Sequence, residues 1–287
     1  MSSNAIEAAA LYIVATPIGN LGDITARALD VLRSVDLIAA EDTRHSARLM
    51  QHFGITTRMT SYHDFSDDAR VEALLAKVKE GVSIALISDA GTPLISDPGY
   101  RLVQRAKEEL LRVIPIPGPC AITTALSAAG MPSDRFIFEG FPAAKRTGRL
   151  KHFQSLAEET RTLIFYESPH RILDSLDDML EAFGGEREVV ICRELTKTFE
   201  TLHGAKLEVL QTWIREDDNR QRGEFVLLVK GAVVQAEEAI SPEVLRTLEI
   251  MLESLSVKQA AALTSRISGV KKNLLYERAL ELSKAGS

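Results

Sequence analysis

A chain of 287 residues is long enough for one large or two modest domains with a substantial core, and 45% hydrophobic against 26% charged residues is ordinary for a soluble globular protein. A net charge of −6 argues against coating nucleic acid through bulk charge, so any RNA contact must come from local basic patches. Two cysteines without a CxxC and six histidines without an HExxH predict neither a disulfide framework nor a structural metal.

Residues 1–10 carry Glu7 and no Lys or Arg. A secretory signal needs a basic start, so this stretch reads as a tail before a cytoplasmic protein. No apolar run reaches the roughly 20 residues that span a bilayer, so no membrane partner is expected.

Strand and helix patterns then alternate. Leu11–Thr16 is a short apolar, β-branched run and predicts a buried strand. Thr25–Val35 has helical spacing in Ala28, Leu29, Leu32 and Val35. Asp36–Ala40 predicts a second strand. Thr43 is placed to cap a helix running to Phe53, with Gly54 just past its end. Ser66 is placed to cap another, ending at Gly81. Ser83–Ser88 predicts a third strand and Arg112–Ile116 a fourth. Cys120–Ala129 reads as a helix of small residues. Strands alternating with helices predict a parallel sheet up to about residue 130.

Arg135–Phe141 opens a second α/β unit. Thr162–Tyr166, Glu188–Cys192 and Phe225–Lys230 predict its strands. Ser168 and Pro169 look like a helix start. Residues 232–241 resemble a linker. Beyond it the chain reads as three helices, about 242–254, 257–266 and 270–284, with Ile267, Ser268 and Gly269 turning the last pair. That pattern suits a helix–turn–helix or a plain helical cap. Residues 241–287 hold seven Lys/Arg against five Asp/Glu, leaving −8 for the remainder. The expected organisation is a tail (1–10), an N-terminal α/β domain (11–132), a second α/β domain (133–232) and a C-terminal helical region (241–287).

Three expected strand ends carry Gly/Pro-rich loops: Pro17 to Leu21, Ser88 to Gly99, and Pro117 to Ala121. None is a GxGxxG or a P-loop. Ligands of open α/β sheets sit outside the carboxyl ends of strands. Glycine admits close backbone approach and proline stiffens a loop, so three such loops predict one cleft. Asp89, at a strand end, is placed to accept hydrogen bonds from ribose hydroxyls or an amino group.

These loops, ATPIGNL, SDAGTPLISDPG and PGPCA, resemble the tetrapyrrole methylase superfamily. With AAEDTRHS, FYESPHR, RELTKTFET and GEFVLLV they resemble one branch of it, the bacterial 16S rRNA cytidine-2′-O-methyltransferases. The resemblance covers about residues 11–230, and the C-terminal helices look similar too. It implies two α/β domains with S-adenosylmethionine in the cleft between them, a homodimer, and 16S rRNA in the small ribosomal subunit as partner. It makes Pro17, Asp89, Gly91, Thr92, Pro93, Ile95, Ala121, Ile122, Tyr166 and Ala205 the candidate cofactor residues. The superfamily often has Gly-Asp-Pro where this chain has Ser88-Asp89-Ala90, so the local turn differs.

A ribose hydroxyl is a poor nucleophile, and a general base would help it. The candidates are Glu41, Asp42 and Glu167, with His45 and His170 as further possibilities and alignment alone as the other route. Candidate RNA contacts are Arg44, Lys145, Arg146, Arg149, Arg171, Lys271 and Lys272. The 145–151 cluster is expected in the segment joining the two α/β domains. The competing readings are a small-molecule tetrapyrrole methylase, a diphthine-forming enzyme, and a non-catalytic RNA-binding module.

Overall fold

The computed structural model describes residues 7–62, 68–233 and 240–285. The first sheet takes shape from β1 (Ala10–Val14), α1 (Ala26–Ser34), β2 (Leu37–Ala40), α2 (Thr43–His52), β3 (Met59–Ser61), α3 (Asp68–Lys79), β4 (Ile84–Ile87), α4 (Tyr100–Glu108) and β5 (Arg112–Ile116). Its order is β3-β2-β4-β1-β5, with every described pairing parallel. β2 and β4 are buried along their whole length, as strands covered on both faces must be. One face packs Tyr12, Leu32, Ile38 and Ile87, and the other packs Leu11, Leu75, Leu86 and Leu102.

The order of the strands matters for function. β1 lies between β4 and β5, so the loops leaving the carboxyl ends of these three neighbours must converge. They are the three loops singled out in the sequence.

α5 (Ala121–Ala129) leaves the first sheet and packs on the second. Ile122 and Ala125 bury against Ile164, Val190, Cys192 and Val226. The second sheet contains β6 (Phe136–Gly140), α6 (Arg146–Ser155), β7 (Thr162–Glu167), α7 (Ile172–Phe183), β8 (Glu188–Arg193), β9 (Thr201–Lys206), α8 (Leu207–Arg215) and β10 (Phe225–Val229). Its order is β6-β7-β10-β8-β9. β6 and β7 are parallel, and the other pairs are antiparallel. The far face, with Phe165 of β7, is covered by α6, α7 and α8 through Phe153, Leu176, Met179, Leu210 and Ile214.

Residues up to Ala232 form one compact unit that carries both sheets, and the helices beyond form a second unit. That second unit comprises α9 (Pro242–Leu252), α10 (Val257–Ser268) and α11 (Lys272–Ala285) around Leu248, Ala260, Ala261, Leu275 and Ala279. Ser256 and Gln259 form a capping box on α10. Gly269 ends it in the left-handed region at φ +73°.

Several sequence expectations are corrected. α2 is capped by Asp42, not Thr43: its carboxylate accepts the Arg44 and His45 N–H groups at 2.8 and 3.4 Å. Ser66 lies outside the described residues. α7 starts at Ile172 rather than at Ser168, because residues 168–171 turn back over Glu167. Glu167 is the last residue of β7 and does not follow it. The 145–151 cluster belongs to α6 of the second sheet and does not join the two halves. β3 is a strand of three residues and β9 lacks a clean alternation, whereas α4 and α8 are amphipathic helices, burying Leu102 and Ala106 and Leu207, Leu210 and Ile214, that the sequence reading missed.

Candidate functional site

The three loops are tied together by their own backbone. Thr16 N–H donates to the Gly91 carbonyl at 2.8 Å, and Gly91 N–H donates back to Thr16 at 3.1 Å. Thr16 Oγ1 reaches the Ser88 carbonyl at 3.3 Å. Thr92 Oγ1 donates to the Pro119 carbonyl at 2.9 Å. Gly91 has φ +82°, and a Cβ there would sit 3.2 Å from Ile18 Cγ2. A Cβ on Gly118 would meet that of Ala15 at 2.9 Å. Leu94 and Ser96 also hold positive φ, at +74° and +60°. Strain of this kind persists where the surroundings over-determine it, and it clusters at ligand sites.

Against these loops lies the end of the second sheet, and a cavity of about 440 Å³ opens between the two sheets. Ile18, Gly91, Thr92, Ile95, Cys120 and Ala121 form one wall. Phe141, Tyr166, Glu167, Leu195, Glu224 and Val226 form the other. The Tyr166 ring meets Phe138 and Phe141 edge-on, with centroids 4.8 and 5.5 Å away. Burial pushes its phenol well above the ordinary value, and the Cys120 and Asp97 charges push the same way. Tyr166 is therefore a neutral hydroxyl at any physiological pH.

The structure sorts the expected cofactor residues. Gly91, Thr92, Ile95, Ala121 and Tyr166 come together on the cavity wall. Pro17, Asp89, Pro93 and Ile122 stand behind it. The Asp89 carboxylate accepts the Asp42 N–H at 3.1 Å, and its own N–H donates to Glu41 Oε2 at 3.3 Å. It thereby braces the ends of β2 and β4. Ala205 is corrected: it pairs with Val189 and packs on the far face, while alternate residues such as Val190 and Cys192 face α5.

The expected bases are sorted as well. Glu41 and Asp42 are not among the cavity-lining residues, and both brace backbone N–H groups. Glu167 is at the cavity but is saturated. Its Oε1 accepts the Ser168 N–H at 2.7 Å and Arg171 at 3.1 Å, and its Oε2 accepts the Ser175 hydroxyl at 2.5 Å.

Of the expected RNA contacts, Arg149 is overturned. It is 2% exposed, and Nε donates to Asp178 Oδ2 at 2.7 Å. Arg146 binds the same carboxylate at 2.9 Å and also Glu181 at 2.5 Å. Arg171 is engaged with Glu167. Arg44 is 93% exposed, with Asp42 at 3.7 Å. Lys145, Lys271 and Lys272 are exposed. The sequence reading missed Phe141, Leu195 and Glu224 at the cavity. Phe141 ends the segment Arg135–Phe141, and Leu195 and Glu224 lie in RELTKTFET and GEFVLLV, but a strand pattern does not reveal which end faces a ligand.

Comparison with known proteins fits this geometry. Residues 10–211 match the family described as Tetrapyrrole (Corrin/Porphyrin) Methylases, and residues 238–283 match the RsmI C-terminal HTH domain. The chain is 58% identical over 271 residues to the Ribosomal RNA small subunit methyltransferase I of Escherichia coli O157:H7, covering 94% of each. It is 55% identical over 277 residues to the protein of that name from Pseudomonas aeruginosa, covering 96% of this chain and 98% of the relative. Among solved structures, uroporphyrin-III-C-methyltransferase from Thermus thermophilus is similar with TM-score 0.55 at 18% identity, covering 77% of this chain and 94% of that one. Diphthine synthase gives TM-score 0.59 at 14% identity over 77% and 90%. At such identities these two show the shared fold. Two sheets closing one cavity from three Gly/Pro-rich strand ends, a match along 10–211 and full-length relatives above 50% identity place this chain in the tetrapyrrole methylase family.

Proposed function

We propose that the chain is an S-adenosylmethionine-dependent methyltransferase that 2′-O-methylates a cytidine ribose in 16S rRNA of the small ribosomal subunit. The cavity supports the cofactor. Its volume lies within the range of small-molecule sites. Ile18, Ile95, Leu195, Val226 and the Tyr166 ring offer apolar wall to an adenine, while Asp97 suits a cationic ligand. When bound, the cofactor supplies an electrophilic sulfonium methyl group.

The protein's part is alignment and exclusion of water. Gly91 and Thr92 bring backbone close to the ligand, and Phe141 and Tyr166 exclude solvent from the second wall. Full-length similarity to proteins named for small-subunit rRNA methylation carries the choice of substrate. Arg44, Lys145, Lys271 and Lys272 remain the cations offered to phosphates. Assembly as a homodimer and a cytoplasmic place of action belong to the same reading. Among the described residues no helix is long and apolar enough to cross a membrane.

The test incubates purified protein and methyl-labelled S-adenosylmethionine with small subunits from cells lacking the enzyme, then digests the RNA to nucleosides. Label in 2′-O-methylcytidine at one site is the expected result. Gly91→Ala should cost about 1–2 kcal/mol of folding stability in thermal melts, since a non-glycine residue at positive φ is strained by that much. Donor binding without any labelled RNA would refute the substrate and return the choice to a tetrapyrrole or a protein.

A further inference from the structure

A cluster beside the cavity has no part in the reading so far. It is built from the loop after β8 and the residues entering β10. Lys197 Nζ lies between two carboxylates, 2.8 Å from Glu194 Oε1 and 2.9 Å from Glu224 Oε2. Glu194 Oε1 also accepts the Glu224 N–H at 2.9 Å. Burial alone would lower the Lys197 ammonium, but its bonds and charge contacts with Glu194 and Glu224 outweigh this and hold it above the ordinary value. Lys197 is a fixed cation and cannot accept a proton.

The backbone here is costly to build. Glu194 and Thr196 hold φ +51° and +68°, neither being glycine. Thr196 Oγ1 is buried without a hydrogen-bond partner. Gly223 has φ +95°, and a Cβ there would meet Glu194 Cγ at 2.4 Å. A Cβ on Gly19, in the first loop of the other sheet, would meet Lys197 Cγ at 2.5 Å. Two glycines and two strained residues therefore serve one purpose, to place this lysine between two acids where the two sheets meet.

The acids differ. Glu194 is spent on Lys197 and on backbone. Glu224 lines the cavity, its side chain is 77% exposed, and among the described residues its Oε1 has no hydrogen-bond partner. Of the other acids on the cavity wall, Glu167 is saturated, and Asp97 lies in the first-sheet loop beside the Tyr166 hydroxyl.

We propose that Glu224 receives the proton of the substrate's ribose 2′-hydroxyl, with Lys197 as the positioning residue that fixes its carboxylate at the cavity mouth. This rests on the methyltransferase reading above. The hydroxyl oxygen forms its bond to the methyl carbon as the carbon–sulfur bond breaks. The sulfonium becomes a neutral thioether, and the hydroxyl proton passes to the Glu224 carboxylate and then to water. The ionisable groups around Glu224 are Lys197 and Glu194 from the loop after β8, Arg222 two residues before it, Tyr166 and Glu167 on the neighbouring strand β7 of the same wall, and Asp97 on the facing loop.

The test compares wild type with Glu224→Gln, Lys197→Met and Lys197→Arg. Donor affinity is read by calorimetry, thermal midpoint by circular dichroism, and kcat on small subunits. Glu224→Gln should keep donor affinity and midpoint while kcat falls about 100-fold or more, the usual scale for a lost general base. Lys197→Met leaves that carboxylate unheld, so kcat should fall about tenfold or more with donor affinity unchanged. Lys197→Arg, which keeps the cation, should restore most of it. Turnover within threefold of wild type in either Glu224→Gln or Lys197→Met would overturn the inference alone. A wild-type enzyme that binds donor but labels no RNA would overturn the underlying reading and this one with it.

Discussion

Arg149→Met separates two meanings of one basic residue. In the sequence, Arg149 belongs to a phosphate-binding cluster. In the fold, it is 2% exposed, donates to Asp178 Oδ2 at 2.7 Å and reaches the Ala144 carbonyl at 3.3 Å. The Asp178 side chain is equally buried. Removing one partner of such a pair costs about 3–5 kcal/mol, because a desolvated charge is left behind. Arg146 still reaches Asp178 Oδ1 at 2.9 Å, so the lower end, about 3 kcal/mol, is expected. For a domain of this size that lowers the thermal midpoint by roughly 6–12 °C. The double variant Arg149→Met with Asp178→Leu should recover much of the loss, since an apolar pair avoids desolvation. Thermal melts and RNA binding are measured on the same preparations. A midpoint within about 2 °C of wild type, together with weakened RNA binding, would refute the structural assignment.

Two further outcomes follow from local chemistry. Burial pushes the Cys192 thiol up to about 12, whereas Cys120 is partly exposed at the cavity. Iodoacetamide at pH 8 should label Cys120 and spare Cys192, and S-adenosylmethionine should protect Cys120; mass spectrometry of the peptides decides. The Ser83 hydroxyl, followed by its N–H, holds Asp36 below about 3.8. A carboxyl lowered in the folded state stabilises above its unfolded pKa, and that contribution is lost as pH falls through the folded value. Ser83→Ala should bring Asp36 back toward 3.8 in a carbon-detected NMR titration and reduce the acid sensitivity of folding. An unchanged Asp36 midpoint would show that the hydroxyl does not matter.

The sequence by itself determined the alternating elements of the first sheet. Buried strands such as Ile84–Ile87 are continuous apolar runs, and period and composition are local properties. It also determined the three Gly/Pro-rich loops, since Gly91 and Gly118 mark places where a Cβ would be strained or crowded. β9 escaped because Thr201–Lys206 lacks a clean alternation and follows a loop held by Glu194 and Lys197, whereas the amphipathic α8 was legible through Leu207, Leu210 and Ile214 and was missed.

Only the tertiary structure decided which charges do what. Glu167 and Arg149 look like a base and an RNA contact in the sequence, yet one is saturated by Ser168, Arg171 and Ser175 and the other is buried on Asp178. Glu224 looks like an ordinary residue before a strand, yet it stands at the cavity beside a clamped lysine. Apolar periodicity is written along the chain. The partners of a charge are brought by strand order and packing from residues up to 30 or more positions away, and those partners determine whether it supports the fold or is offered to a substrate.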